Sequence, residues 1–221
     1  MTTSANGLML YTYFRSSAAW RARIALNLKG LKPDYVFVHL LKNGGEQHSA
    51  DYGRLNPQET VPTLVHEGHV IGQSLAIIEY LNECWPEPPL LPKDPFGRAR
   101  VRQIADAVAC EMHPLGNLRI RLRLRDMFKA SEEQQAEWQR HWITLGFAAL
   151  EKLIAGAKET GCFCHGDTPT LADIFLIPQM GNARRVKLDL APYPTLLRIE
   201  AEAAAHPAFA AARPEAQSDA E

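Results

Sequence analysis

The first half of the chain alternates short apolar runs with amphipathic segments. Leu8 to Tyr13 reads as a strand, and Trp20, Ile24 and Leu28 then fall on one face of a helix over Ser17 to Lys29. Tyr35 to Val38 is a second strand pattern, followed by a polar, glycine-bearing loop from Lys42 to Ser49. Past a connecting segment, Thr63 to Val65 and His69 to Ile71 are strand candidates divided by Glu67-Gly68, which reads as a hairpin turn. A helix opening at Ser74 carries Leu75, Ile78 and Leu81 at helical spacing. The order βαβ, connection, ββα implies a small mixed sheet with helices packed on it, so this part is α/β.

The run Trp85-Pro86-Glu87-Pro88-Pro89-Leu90-Leu91-Pro92 stops any helix or central strand and marks a domain boundary. It separates an α/β domain, residues 1–87, from an all-α domain, residues 93–221. In the second part Val101, Ile104, Ala105, Val108 and Met112 form one apolar stripe, and Trp138, Trp142, Leu145, Ala149 and Leu153 form another. Thr170 and Asp173 are spaced as an N-cap with an acid at N3, and the run Ile174 to Ile177 is apolar all round, which predicts a buried helix. Beyond Pro207 the alanine-rich, then polar tail is expected to fray.

Composition narrows the function classes. The chain has 221 residues, 46% hydrophobic and 22% charged, the profile of an ordinary globular protein. With 24 basic and 25 acidic residues the formal charge is −1, so no global field favours nucleic acid or an anionic membrane, and any anion site must be local. Met1 to Gly7 lacks the features of a signal peptide and no apolar run approaches membrane-spanning length, so a cytoplasmic protein is expected. Cys84, Cys110, Cys162 and Cys164 lack the paired spacing of a zinc site; free thiols and no metal are expected.

Candidate chemistry begins at Ser16-Ser17, between Arg15 and Arg21, where the first strand meets the first helix. A helix N-terminus there would gather unpaired N–H groups and the positive end of the dipole, suited to an anion or a thiolate. An isolated serine pair reads more simply as a helix cap. Two further features change that balance. Val61-Pro62, just before a strand, is a candidate cis bond and a candidate edge for an extended peptide. Gln73-Ser74 opens the next helix with an amide, a hydroxyl and N–H groups suited to a carboxylate.

With those residues the chain resembles the zeta class of glutathione transferases, which includes maleylacetoacetate and maleylpyruvate isomerases. The resemblance is carried by Ser16-Ser17 with Trp20 to Leu26, Leu55-Asn56-Pro57, Val61 to Leu64, Gln73 to Leu81, Leu90-Leu91-Pro92, His113-Pro114 with Asn117-Leu118-Arg119, Gly166-Asp167, Leu171-Ala172-Asp173, Ile177-Pro178-Gln179 and Asp189 to Pro194. It runs from about Leu8 past Tyr193. One departure stands out: the motif Ser-Ser-Cys-Ser-Trp of the best-known members has Ala18 and Ala19 at its third and fourth positions here.

The resemblance implies a thioredoxin-like first domain, an all-helical second domain and a homodimer. It implies glutathione as cofactor, with Gln73 and Ser74 meeting the γ-glutamyl carboxylate, Val61 and Pro62 the cysteinyl backbone, and Gln47, His113 and Asn117 making further contacts. Ser16, with Ser17 and Arg15 beside it, would hold the glutathione thiolate, because Ala18 leaves no protein thiol at that position. Arg15, Arg119, and Arg184 or its neighbour Arg185 would meet the carboxylates of a dicarboxylate substrate. The activity implied is cis–trans isomerisation of maleylacetoacetate to fumarylacetoacetate in tyrosine and phenylalanine breakdown. Maleylpyruvate isomerisation, general conjugation or dehalogenation by a glutathione transferase, and a non-enzymatic glutathione-binding protein remain alternatives.

Overall fold

The strand β1, Leu8–Thr12, lies at the interior of a four-stranded sheet of order β2-β1-β3-β4, with β2 at Asp34–Phe37, β3 at Thr63–His66 and β4 at His69–Gly72. β1 runs parallel to β2 and antiparallel to β3, and β3 and β4 form the hairpin turned at Glu67-Gly68. Register pairs Leu10 with Leu64, and both are fully buried, as are Ile24, Leu26, Ile77, Ile78 and Leu81 from the helices α1, Ser17–Leu28, and α3, Ser74–Cys84. Each such side chain contributes roughly 1.5–3 kcal/mol by leaving water. The computed structural model describes residues 7–221; the expectation for the leader region thus falls, except for Gly7, outside the described residues.

Two compact units result. The first holds the chain up to Pro89 together with His206–Glu221, and the second holds Leu90–Ala205. The break at Pro89 lies inside the proline-dense run. The tail departs from expectation: it does not fray, and residues 206–221, assigned above to the helical domain, belong to the first unit. There α10, Pro207–Ala212, packs on α1. The cause is visible in the burial of α1, which loses solvent on nearly every side, Arg21 and Arg23 included, because α10 covers the face that an amphipathic helix would leave wet. The connecting segment also gains structure: two 3₁₀ turns, Lys42–Gly44 and Glu46–His48, precede a short helix α2, Ala50–Leu55.

The second unit is helical: α4 Pro95–Asp106, α5 His113–Gly116, α6 Leu118–Phe128, α7 Glu132–Ala155, α8 Leu171–Arg185 and α9 Pro194–Ala205. The Thr170 and Asp173 capping box opens α8, whose run Ile174 to Ile177 is buried all round. In α7 the buried stripe is Ile143, Phe147, Leu150 and Ile154 rather than the tryptophan stripe. Leu145 is exposed, and Trp138 and Trp142 stack edge to face at its margin, with the Trp138 indole N–H donating to the Leu115 carbonyl. Between α4 and α5 the chain makes a π-helical turn, Ala107–Met112. Pro114 supplies no N–H, and a π turn absorbs the lost helical bond. Gly146 of α7 makes room for it, since a Cβ there would come within 2.2 Å of Met112 Sδ.

Candidate active site

β1 delivers the chain into a tight turn, Tyr13 to Ser16, closed by the Ser16 N–H donating to the Tyr13 carbonyl at 3.0 Å. Ser16 then takes an extended conformation and caps α1: its Oγ accepts the Ala19 N–H at 3.2 Å, and its carbonyl accepts the Trp20 N–H at 2.8 Å. A hydroxyl that accepts a backbone N–H still carries one proton to donate. Ser16 is half-buried, Ser17 is buried in the first helical turn, and Arg15 is exposed on the turn itself. The first turn of α1 has no acidic side chain of its own to neutralise the positive helix end.

A second acid-free helix end lies at α3. Gln73, its N-cap, sits at φ 65°, a left-handed conformation unusual for a residue with a side chain and common where a backbone is held for function. Its amide Nε2 donates to Gln58 Oε1 at 2.8 Å. Ser74, the first helical residue, is buried, and its Oγ accepts from Arg21 Nη1 at 3.5 Å.

Between α1 and α3 in sequence, the Val61–Pro62 bond is cis, as the sequence suggested. Its turn is held by a buried network missed in the sequence: Asn56 Nδ2 donates to the Thr60 carbonyl and to Thr63 Oγ1, both at 2.9 Å, and Asn56 Oδ1 accepts the Gln58 N–H at 3.0 Å. The Tyr52 hydroxyl donates to the same Thr60 carbonyl at 2.6 Å. Burial raises the Tyr52 pKa, so it stays a neutral donor. The only sequence signal for this network was Asn56 within Leu55-Asn56-Pro57.

Gln47, which the sequence alone would leave as a solvated loop residue, is buried. Its Nε2 donates to the Leu40 carbonyl at 3.5 Å, while its Oε1 is buried with no partner among the described residues. Gly45 permits this fold-back: it sits at φ 100°, and a Cβ there would come within 2.5 Å of Gln47 Nε2. A recess of about 410 Å³ elsewhere in this unit is lined by Tyr11, Phe37, Tyr52, Glu46 and Asp51 among others. It contains none of the predicted site residues, and its two carboxylates disfavour an anion.

The remaining candidates belong to the second unit. His113 opens α5 directly after the π turn, a feature frequent at functional sites. Asn117 caps α6, its Oδ1 accepting the Ile120 N–H at 3.2 Å, so its side chain has a structural duty. Arg119 is exposed in the first turn of α6. Arg184 is engaged: its Nε donates to Glu200 Oε1 at 2.9 Å and its Nη2 to the other carboxylate oxygen, a two-point pair that occupies the fork a substrate carboxylate would need. Arg185 Nη1 donates to Asn182 Oδ1 at 3.3 Å. Among the described residues no cluster of three or more metal-ligating side chains occurs, and no helix is long and apolar enough to cross a membrane.

Residues 15–84 match the family model for the glutathione S-transferase N-terminal domain, and residues 121–211 match that for the C-terminal domain. The chain is 44% identical over 98% of its length to a maleylacetoacetate isomerase of Dictyostelium discoideum, covering 97% of that protein. Among solved structures it resembles the holo form of a maleylpyruvate isomerase described as a bacterial zeta-class glutathione S-transferase, with a TM-score of 0.94, 45% identity, and coverage of 96% of this chain and 100% of that one. It also resembles a maleylacetoacetate isomerase from Anaeromyxobacter dehalogenans with glutathione bound in its active site, with a TM-score of 0.86, 46% identity, and coverage of 97% and 98%. A four-stranded thioredoxin-like unit, a helical unit, and these matches along nearly the whole chain place it in the glutathione S-transferase family, in the zeta class.

Proposed function

We propose that the chain is a glutathione-dependent cis–trans isomerase that converts maleylacetoacetate to fumarylacetoacetate. The observation that carries this reading is Ser16: a half-buried hydroxyl at an acid-free helix N-terminus, with its proton left to donate. Residues of the first unit support glutathione as its cofactor. A tripeptide with two carboxylates and an ionisable thiol suits two helix ends without acids in their first turns, and the buried Gln47 Oε1, without a partner among the described residues, suits a donor from an amide or ammonium group. Gln73 and Ser74 orient the γ-glutamyl end, and the turn at Val61 and Pro62 offers backbone to the cysteinyl residue.

Bound glutathione supplies the thiol, whose reversible addition to the conjugated cis double bond leaves a single bond free to rotate before the thiol departs from the trans product. The protein's part is to keep that sulfur ionised and to hold the substrate. The α1 dipole contributes about 0.3–1 kcal/mol to an anion, and a charge-assisted bond from the Ser16 hydroxyl about 1.5–3 kcal/mol. Together these lower a thiol pKa of about 8.5 by roughly 1.5–3 units, enough to ionise it at neutral pH. Arg15 and Arg119 supply positive charge for the substrate carboxylates. His113 and Asn117 are secondary candidates, and Arg184 is the least fitting because Glu200 already occupies its guanidinium.

The chain offers no thiol of its own for this step. Position 18 is alanine, Cys164 is buried with its pKa pushed up by burial and by Asp173, and the thiols of Cys110 and Cys162 are also shifted upward. Cys84 lies at the far end of α3. We further propose that the enzyme acts as a cytoplasmic homodimer in aromatic amino acid breakdown, in keeping with its family. The similarity to the maleylpyruvate isomerase structure supports that shorter substrate as the second reading. Turnover of maleylacetoacetate and maleylpyruvate, each with and without glutathione, decides between them. Isomerisation of neither, with conjugation of a halide substrate instead, contradicts both.

A further inference from the structure

Arg23 is almost solvent-free at 1% exposure, yet no carboxylate is needed to account for its hydrogen bonds. Its Nη1 donates to Thr12 Oγ1 at 3.0 Å and to the Tyr13 carbonyl at 3.3 Å, its Nη2 to the Phe14 carbonyl at 3.0 Å, and its Nε to the Ala212 carbonyl at 3.1 Å. The Tyr13 carbonyl is the same atom that accepts the Ser16 N–H and closes the serine turn. From the other side, Asp219 Oδ2 accepts the Phe14 N–H at 2.9 Å, and Glu221 pairs with Lys42 and lies 3.6 Å from His39 Nε2. The peptide groups on both sides of Phe14 are therefore gripped from outside the turn, by one buried guanidinium and by the last residues of the chain.

We propose that Arg23 is a positioning residue for Ser16, and that it works jointly with the C-terminal segment His206–Glu221, so that the tail is a functional part of the thiol site. A planar guanidinium with five donors is the side chain able to meet three carbonyls and a hydroxyl from one buried point, whereas a lysine presents three donors from a single atom. Burial lowers the Arg23 pKa to about 10, so it remains charged at neutral pH. Without this grip the Tyr13 carbonyl loses a partner, the turn loosens, and the Ser16 hydroxyl no longer sits fixed at the helix end. This inference rests on the reading of Ser16 as the thiolate-holding group.

The test uses full-length variants, with the bound glutathione thiol titrated by its ultraviolet thiolate absorbance and glutathione affinity measured by calorimetry. Wild type should bind glutathione with its thiol pKa below the free value. Arg23→Lys should raise the bound thiol's proton affinity about tenfold while glutathione Kd changes less, because Gln73 and Ser74 are untouched. Asp219→Ala and Asp219→Asn both remove the Asp219 charge, and only asparagine keeps an acceptor for the Phe14 N–H. The alanine variant should therefore titrate at higher pH than the asparagine variant, which should match wild type or fall below it. Asp219 is half-buried, so this pair tests the tail's part in the joint grip on Phe14 even where Arg23→Lys fails to fold. Equal titration of the two Asp219 variants overturns the tail's role, and a folded Arg23→Lys with the wild-type thiol pKa overturns that of Arg23. A wild-type complex whose thiol titrates at the free value contradicts the Ser16 reading itself, and this inference with it.

Discussion

Ser16 Oγ accepts the Ala19 N–H at 3.2 Å, so this hydroxyl caps the N-terminus of α1 while its own proton stays available to donate. Ser16→Ala removes both. Loss of the cap should cost about 1 kcal/mol in denaturant unfolding. Loss of the hydroxyl donor should lower kcat about 10- to 100-fold at neutral pH, from the 1.5–3 kcal/mol of a charge-assisted bond. Ser16→Thr keeps cap and donor and should retain most of the stability; a kcat unchanged in Ser16→Ala would remove Ser16 from the chemistry.

Asn56 should matter more than its place in a loop suggests. Asn56→Ala strips donors from the Thr60 carbonyl and Thr63 Oγ1 in a buried network, and should destabilise the protein by about 2 kcal/mol. It should also weaken glutathione binding, measured by calorimetry, because Gln58, the partner of Gln73, loses its own anchor. Tyr52→Phe removes one donor from the same carbonyl and should cost less, about 1 kcal/mol.

The two arginines of the helical unit should separate in steady-state kinetics. Arg119→Ala should raise the KM for the dicarboxylate substrate roughly tenfold with a smaller change in kcat, as loss of a charge-assisted contact predicts. Arg184→Ala breaks the pair between a half-exposed guanidinium and the mostly buried Glu200 carboxylate and should cost about 1 kcal/mol in stability, with kinetics close to wild type. A large KM effect at Arg184 would mean that Glu200 releases it to the substrate.

Lys29 sets a pH signature. Its ammonium is tucked against Asn82 Oδ1 and the Pro88 carbonyl, and burial lowers its pKa from 10.5 to about 8. Between those two values the unfolded chain binds the extra proton, so this group makes stability rise with pH from about 8 toward 10.5; below pH 8 both states are protonated and the contribution is flat. The buried tyrosines act oppositely nearer pH 10, since their raised pKa values favour the protonated native form. From about pH 8 to 9.5 the unfolding free energy of wild type should rise relative to that of Lys29→Gln, and a pH-independent or falling difference would contradict it.

Much of the first unit was legible because its signals are local: alternation in β1, the Glu67-Gly68 turn, and the apolar spacing of α3 each survive in a short window. The tail was misread for the same reason. An alanine-rich segment with few large apolar groups has no local signal for docking, and its place on α1 is fixed by backbone carbonyls, Ala208 to Asn27 and Ala212 to Arg23, which sequence does not display. The α7 stripe was misplaced because two tryptophans outweighed Ile143 and Phe147 in the pattern, although wide rings settle at a margin more readily than in a tight core. At the site, Ser16, Gln73 and Ser74 were legible as helix starts. Arg23 was not, because an arginine within a helix reads as a solvent-facing charge until another element covers it.

A glutathione-dependent isomerase returns glutathione unchanged while the double bond turns. The direct measurement is the number of trans products formed per glutathione consumed, with maleylacetoacetate in large excess over glutathione. Isomerisation through a returned thiol requires complete conversion with the free thiol recovered, and rates that vanish when glutathione is omitted. Product formation that stops when one equivalent of glutathione is spent, or that proceeds equally without it, would rule that mechanism out.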